Sequence, residues 1–154
     1  MDFRKACRDD IIQLVKIRLE FLGEDYEGLT KEQSESLREQ QVSYYEVHLE
    51  SDFMAYIAVE NDEIVASVFL VIVERPANPS FPTGKIGNIL NVYTRPEYRR
   101  RGLAGRLMDM MREDAKQYNL SYLELLATQE GYPLYVKKGF HDYKSKCTEM
   151  RVEL

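Results

Sequence analysis

A mixed α/β sheet, antiparallel for most of its strands and parallel where a helix crosses over, is the fold class this sequence predicts, and three observations predict it. The nearly unbroken apolar run Val65-Ala66-Ser67-Val68-Phe69-Leu70-Val71-Ile72-Val73 reads as a strand covered on both faces. Short polar joints, such as Asn61-Asp62-Glu63, tie neighbouring strands into hairpins. Between strand-like runs at 86–94 and 122–127 lies a helical stripe of Leu103, Leu107, Met110, Met111 and Tyr118. A strand, a helix and a strand in that order imply a right-handed crossover and a locally parallel pair.

The remaining elements follow in chain order. Residues 3–7 predict a short first strand, with Asp9 or Asp10 as N-cap of the next helix. Ile11, Leu14, Val15, Leu19 and Leu22 recur near helical spacing, and Gly23 is placed to stop that helix. An acidic loop, Glu24-Asp25-Tyr26-Glu27-Gly28-Leu29, leads to Thr30 and Gln33, a capping-box pair opening a second helix through Leu37, Gln41, Tyr45 and Leu49. Strands at 53–60 and 64–73 make the hairpin. Pro76, Pro79, Pro82 and Gly84 force an irregular connection to the strand at 86–94, which Arg95-Pro96 ends. After the crossover helix and the strand at 122–127, residues 134–138 suggest one or two helical turns with Pro133 in the first, stopped by Gly139. Residues 140–143 and 147–152 suggest a closing hairpin. The order is β-α-α-β-β-β-α-β-α-β-β, within one domain over 1–154.

Composition narrows the function classes. A 44% apolar content builds a core, and no stretch approaches the ~18 apolar residues of a membrane helix. The start, Met1-Asp2-Phe3-Arg4-Lys5, has no apolar signal region, and Cys7 and Cys147 have no CxxC spacing, so a reducing cytosol is expected and a disulfide framework or metal site is not. A net charge of −5 argues against a general nucleic-acid binder. Positive charge is concentrated locally, from Arg95 to Arg106.

Chemistry gathers where Asn91-Val92-Tyr93-Thr94 meets Arg99-Arg100-Arg101-Gly102-Leu103-Ala104-Gly105. A helix beginning at Gly102 aims unsatisfied N–H groups and the positive end of its dipole past the strand, which is an anion site. Gly102 admits close backbone approach, Ala104 keeps the next contact small, and arginines supply charge-assisted donors. Neither GxGxxG nor GxxxxGK[ST] is present, so the dinucleotide and nucleoside-triphosphate readings lack their signatures.

Arg99-x-x-Gly102-x-Ala104 resembles the [Gln/Arg]-x-x-Gly-x-[Gly/Ala] pyrophosphate motif of the GNAT superfamily of N-acetyltransferases. Val92 to Tyr98 before it, and Leu123-Glu124-Leu125-Leu126-Ala127-Thr128 with Leu134-Tyr135 to Gly139-Phe140 after it, are similar to the flanking strands and the Leu-Tyr-x-x-x-Gly-Phe ending of that family. The resemblance implies a central mixed, mostly antiparallel sheet of about six or seven strands with about four helices. It implies acetyl-coenzyme A as co-substrate without a metal, its pantetheine arm in a splay between the strands of Val92 and Leu125. Val92, Tyr93, Thr94, Arg99, Arg100, Arg101, Gly102, Leu103, Ala104, Gly105, Thr128 and Tyr135 are the cofactor-binding positions it marks. Tyr135 is also placed as the acid that donates to the departing thiolate, since a phenol near pKa ~10 stays protonated at neutral pH. Thr128 stands where many relatives carry Asn.

The general base is left open among Glu60, Glu74 and Glu124. Asn88 and Asn91 sit oddly in a central strand, and His48 and His141 read as structural. An acceptor wall of Arg18, Glu20, Phe21, Glu24, Asp25, Tyr26 and Glu27 suits a cationic primary amine of a small molecule or peptide. The expected activity is therefore N-acetyl transfer, with a non-catalytic acyl-coenzyme A-binding regulatory module as alternative. No membrane or nucleic-acid partner is expected, and the closing hairpin offers an edge for a homodimer or one the monomer covers itself.

Overall fold

Hairpin chemistry sets the sheet. In the computed structural model, which describes residues 1–154, Asn61 and Asp62 both take left-handed backbone (φ 51° and 62°). That pair of conformations is what a two-residue type I′ turn demands. The turn joins β2 (Phe53–Glu60) to β3 (Glu63–Glu74) in an antiparallel ladder from Glu60↔Glu63 to Phe53↔Val71. β1 (Asp2–Lys5) lies against β2, and β4 (Lys85–Thr94) against β3, both antiparallel. β5 (Leu123–Leu125) runs parallel to β4 and completes the order β1-β2-β3-β4-β5.

Both faces of this sheet are covered, which is why β2 and β3 read as continuous apolar runs. On one face, α1 (Ile11–Asp25) and α2 (Lys31–His48) pack with Phe53, Ala55, Ile57, Ile64 and Phe69. On the other, α3 (Leu103–Ala115) sets Leu107, Met108 and Met111 against Met54, Tyr56, Val68, Leu70 and Ile89. Tyr135 of the short α4 (Tyr132–Lys137) joins that second core. Fully buried side chains such as Leu14 and Leu107 contribute roughly 1.5–3 kcal/mol each by removal from water.

The helix starts are locally encoded. Gln33 N donates to Thr30 Oγ1 (3.1 Å) and Thr30 N to Gln33 Oε1 (2.9 Å), the expected capping box. Ahead of α1, Asp10 accepts from Cys7 N (2.8 Å) and takes both guanidinium nitrogens of Arg4 (2.7 and 2.9 Å). Those Arg4 bonds hold the Asp10 carboxyl below its ordinary pKa.

Three expectations are corrected. Gly23 does not stop α1, which runs to Asp25; the chain reverses at Gly28 (φ 114°), whose N–H donates to Gly23 O (2.7 Å). The strand at 122–127 shrinks to three paired residues. No closing hairpin forms: residues beyond Gly139 carry no strand, so the sheet has five strands rather than six or seven. The linker Lys144-Ser145-Lys146 contains none of the Gly, Asn or Asp residues that a tight hairpin turn uses, and β5 presents a very short edge to pair with.

Candidate functional site

β4 carries one residue too many for its neighbour. Ser67 pairs with Tyr93 and Phe69 with Leu90, so Asn91 and Val92 together oppose Val68. Asn91 absorbs the extra residue as a bulge in left-handed backbone (φ 52°), a conformation that asparagine tolerates. The bulge preserves the alternation of faces: Ile89 and Val92 look toward α3, Leu90 and Tyr93 toward α1 and α2. Asn91 itself is 2% exposed and fully engaged. Its Nδ2 donates to Ser67 Oγ (2.8 Å), and its Oδ1 accepts from Arg18 Nη1 (3.2 Å).

Beyond the bulge the sheet opens. β5 pairs with β4 only from Gly87 to Ile89, leaving the edge from Leu90 to Thr94 without a strand on that side. Gly87 permits the close approach where the two strands meet, since a Cβ there would lie 2.5 Å from Leu123 Cδ2 and 2.8 Å from Leu70 Cδ1. The splay expected between the strands of Val92 and Leu125 is present as geometry.

The open edge points at the start of α3. Gly102 is its N-cap in left-handed backbone (φ 76°), and Arg100 is also left-handed (φ 61°). Alternation of this kind gathers backbone N–H groups into a concave anion-receiving nest. The helix's first internal bond runs from Arg106 N to Gly102 O (3.0 Å). The N–H groups of Leu103, Ala104 and Gly105 precede it and have no helical carbonyl to reach. A diphosphate fits this donor set.

The arginines divide their work. Arg99 is held back: its Nε donates to Thr94 O (3.0 Å), and its Nη2 pairs with Glu24 Oε2 (2.6 Å). Tyr93 Oη donates to the other oxygen of Glu24 (2.7 Å). Burial works against ionisation of Glu24, but these two hydrogen bonds prevail and hold its carboxyl below the usual range. Glu24 therefore clamps the end of α1 to the end of β4. Arg95 is likewise engaged, bidentate on Glu20 (2.8 and 2.9 Å) and near Glu63 (3.1 Å). Arg101 donates to Glu97 O (3.0 Å) and covers the Tyr98 ring. Arg100 is exposed and free of ion pairs, the triplet's side chain best able to reach a ligand phosphate.

Tyr135, 8% exposed, stacks edge-on to Phe140 with its hydroxyl unbonded, and burial raises its pKa. Its ring fits because residue 131 is glycine: a Cβ there would lie 2.9 Å from Tyr135 Cε2 and 3.2 Å from its Oη. Thr128 Oγ1 accepts from Gly131 N (3.1 Å), so this hydroxyl shapes the α4 turn. Sequence reading missed Gly131; a glycine two residues before Pro133, at a helix start, was its only local signal.

Opposite α3 and α4, a cavity of about 780 Å³ lies between α1, α2 and the sheet. Arg18 and Tyr26 of the expected wall line it, with Leu90, Phe53, Phe69 and Tyr45 among its apolar and aromatic surfaces. Glu20, Phe21, Glu24, Asp25 and Glu27 do not line it, and Glu32 is its one carboxylate. Of the seven residues expected to form an acceptor wall, five thus lie outside this cavity, whose lining is mainly apolar and holds Arg18. Of the open base candidates, Glu74 pairs with Lys85 at the far end of β4, and Glu60 lies two strands away. Glu124 alone stands on β5 beside β4, opposite Asn88, with Asn88 Nδ2 at 3.5 Å. His48 pairs with Asp52 (2.7 Å) and stacks on Tyr44, while His141 is exposed.

A cleft beside one sheet edge and a pocket on the sheet's face suit group transfer between two bound molecules. The family model described as acetyltransferase (GNAT) family matches residues 16–140, and the chain belongs to that family. A predicted acetyltransferase with acetyl-CoA from Clostridium acetobutylicum is 29% identical, covering 97% of this chain and 95% of that one, with a TM-score of 0.85. A GCN5-related N-acetyltransferase from Ralstonia eutropha is 23% identical over 97% of both chains (TM-score 0.77). An aminoglycoside acetyltransferase from an uncultured soil metagenomic sample is 19% identical over 99% and 98% (TM-score 0.72). No curated protein sequence matches significantly.

Proposed function

We propose that this chain is an N-acetyltransferase carrying an acetyl group from acetyl-coenzyme A to a primary amine of a small molecule or peptide. One observation carries the reading: an unpaired strand edge runs directly into a helix start rich in unsatisfied N–H groups. The nest at Gly102 to Gly105, with Arg100, would hold the pyrophosphate. The main chain of Val92, Tyr93 and Thr94 would pair with the pantetheine amides as an added strand. Bound there, acetyl-coenzyme A supplies a thioester whose acyl carbon exchanges its C–S bond for a C–N bond as the amine loses a proton and the thiolate gains one.

The chain's own groups then have distinct tasks. Tyr135 keeps its proton across the neutral range, because burial raises its pKa, and presents it to the sulfur side of the cleft. Glu124, directly or through water, is the carboxylate best placed to accept the proton of the amine. Arg99 acts through Glu24, fixing α1 against β4. Both cysteines are free and exposed, which suits a reducing compartment, and we place the protein in the cytosol.

Calorimetric titration with acetyl-coenzyme A, followed by thiol-release assays over an amine library, tests the reading. Cofactor binding with turnover of some amine is expected. Absence of binding at millimolar cofactor would overturn it. Tight binding without turnover across the library would point instead to a non-catalytic regulatory module.

A further inference from the structure

The cavity between α1, α2 and the sheet holds an arginine that no carboxylate pairs with. Arg18 is partly buried, its guanidinium over the Phe21 ring (5.6 Å), and burial lowers its pKa from the usual arginine value although Asp25 acts the other way. Its one hydrogen bond goes to a neutral group, Asn91 Oδ1 (3.2 Å), and no carboxylate pairs with it. Arg95 and Arg99, on the same side of the sheet, each hold a glutamate. A guanidinium removed from water without a counter-ion is costly, and the cost falls when an anion enters. The rest of the lining offers Arg18 no partner. Apart from Glu32, the polar residues around the cavity are neutral: Gln33, Ser36, Gln40, Gln41 and tyrosines.

Resting on the acetyl-transfer reading, we infer that Arg18 receives the carboxylate of the acceptor, an apolar or aromatic α-amino acid. Spacing supports this. Arg18 touches the bulge residue Asn91, whose neighbours Val92 to Thr94 form the open edge beside which transfer takes place. A carboxylate held there lies close to that edge, so the reacting nitrogen stands only a few bonds from it. The α-amino group meets this condition, and the amine of a long chain does not. The remaining floor, with Leu22, Tyr45, Phe53, Phe69 and Leu90, takes an apolar side chain. Glu32, the cavity's single carboxylate, stands exposed in the first turn of α2 and makes no ion pair with Arg18. In the reaction the α-nitrogen loses one proton and gains the acyl carbon, and coenzyme A leaves as the thiol.

The experiment compares phenylalanine, leucine and methionine with the amines that lack only their carboxylates: 2-phenylethylamine, isopentylamine and 3-(methylthio)propylamine. Thiol release and mass spectrometry of the N-acetyl product are read for the wild type, Arg18→Met and Arg18→Lys, with melting curves to confirm folding. Calorimetry of the same ligands is run with and without acetyl-coenzyme A. At least one amino acid is expected to exceed its amine by about 100-fold in kcat/KM, with Arg18→Met removing that preference and Arg18→Lys restoring part of it. Equal use of amine and amino acid by the wild type would overturn the inference without touching acetyl transfer. So would an Arg18→Met variant that loses both alike, since that outcome makes Arg18 only a support for Asn91. If acetyl-coenzyme A itself does not bind, the acetyl-transfer reading fails. The cofactor-free titrations then still decide the carboxylate site: binding of amino acids but not amines upholds it, and binding of neither overturns it.

Discussion

Gly102 combines two demands in one residue. Its φ of 76° is strained for any side chain, although a Cβ there would meet nothing within 4 Å. Gly102→Asp adds that strain and sets a carboxylate among the N–H groups proposed for the pyrophosphate. Affinity for acetyl-coenzyme A, measured by calorimetry, is expected to fall at least about tenfold. Tyr135→Phe removes only the unbonded hydroxyl. It is expected to lower kcat by about a hundredfold in the thiol-release assay, with KM for acetyl-coenzyme A nearly unchanged. Asp10 gives a pH signature remote from the site. Its folded pKa is depressed by Arg4, so its contribution is present above the ordinary carboxylate pKa and is lost as pH falls through the depressed value. Asp10→Asn should therefore lower stability by about 1–3 kcal/mol at pH 7 in denaturant titrations, the difference from wild type shrinking below pH ~4.

Element by element, local chemistry was legible where it acts through neighbours in sequence. The Thr30–Gln33 box, the Asn61-Asp62 turn and the amphipathic stripe of α3 lie where the sequence predicts them. Thr30→Ala should cost about 1 kcal/mol by thermal or denaturant unfolding, as loss of an N-cap does. Features resting on long-range pairing were not legible. Alternating residues at 147–152 suggest a strand, but a strand exists only against a partner, and β5 is too short to supply one. The Glu24 clamp on Arg99 and Tyr93 joins residues 75 and 69 positions apart, so the motif arginine's side-chain partner was invisible in the motif. The Gly102 turn itself needed no distant partner to be recognised. The cavity under α1 and α2 shows the same limit: Arg18 could be named as a wall residue, but its lack of a paired carboxylate is a property of the folded protein.

Taken whole, the molecule is two apolar cores divided by one sheet. Ile57 belongs to the core under α1 and α2, and Ile89 to the core under α3. Ile57→Val and Ile89→Val should each cost about 1 kcal/mol in denaturant titrations, and the double variant the sum within about 0.5 kcal/mol in one cooperative transition. A sum outside that range would mean that packing strain passes through the sheet. The same division separates the tasks proposed above, with the acceptor pocket on one core and Tyr135 on the other.

Asn91 is, in the end, what steers β4. Removing it would leave Leu90 followed directly by Val92 in regular alternation, with Val92 opposite Val68 and the pairs Phe69↔Leu90 and Ser67↔Tyr93 kept. What would change is direction. The extra residue bends the strand and adds twist where it sits, and its side chain ties that bend to Ser67 and Arg18. One inserted residue thus aims the strand end that leads into the anion-receiving turn.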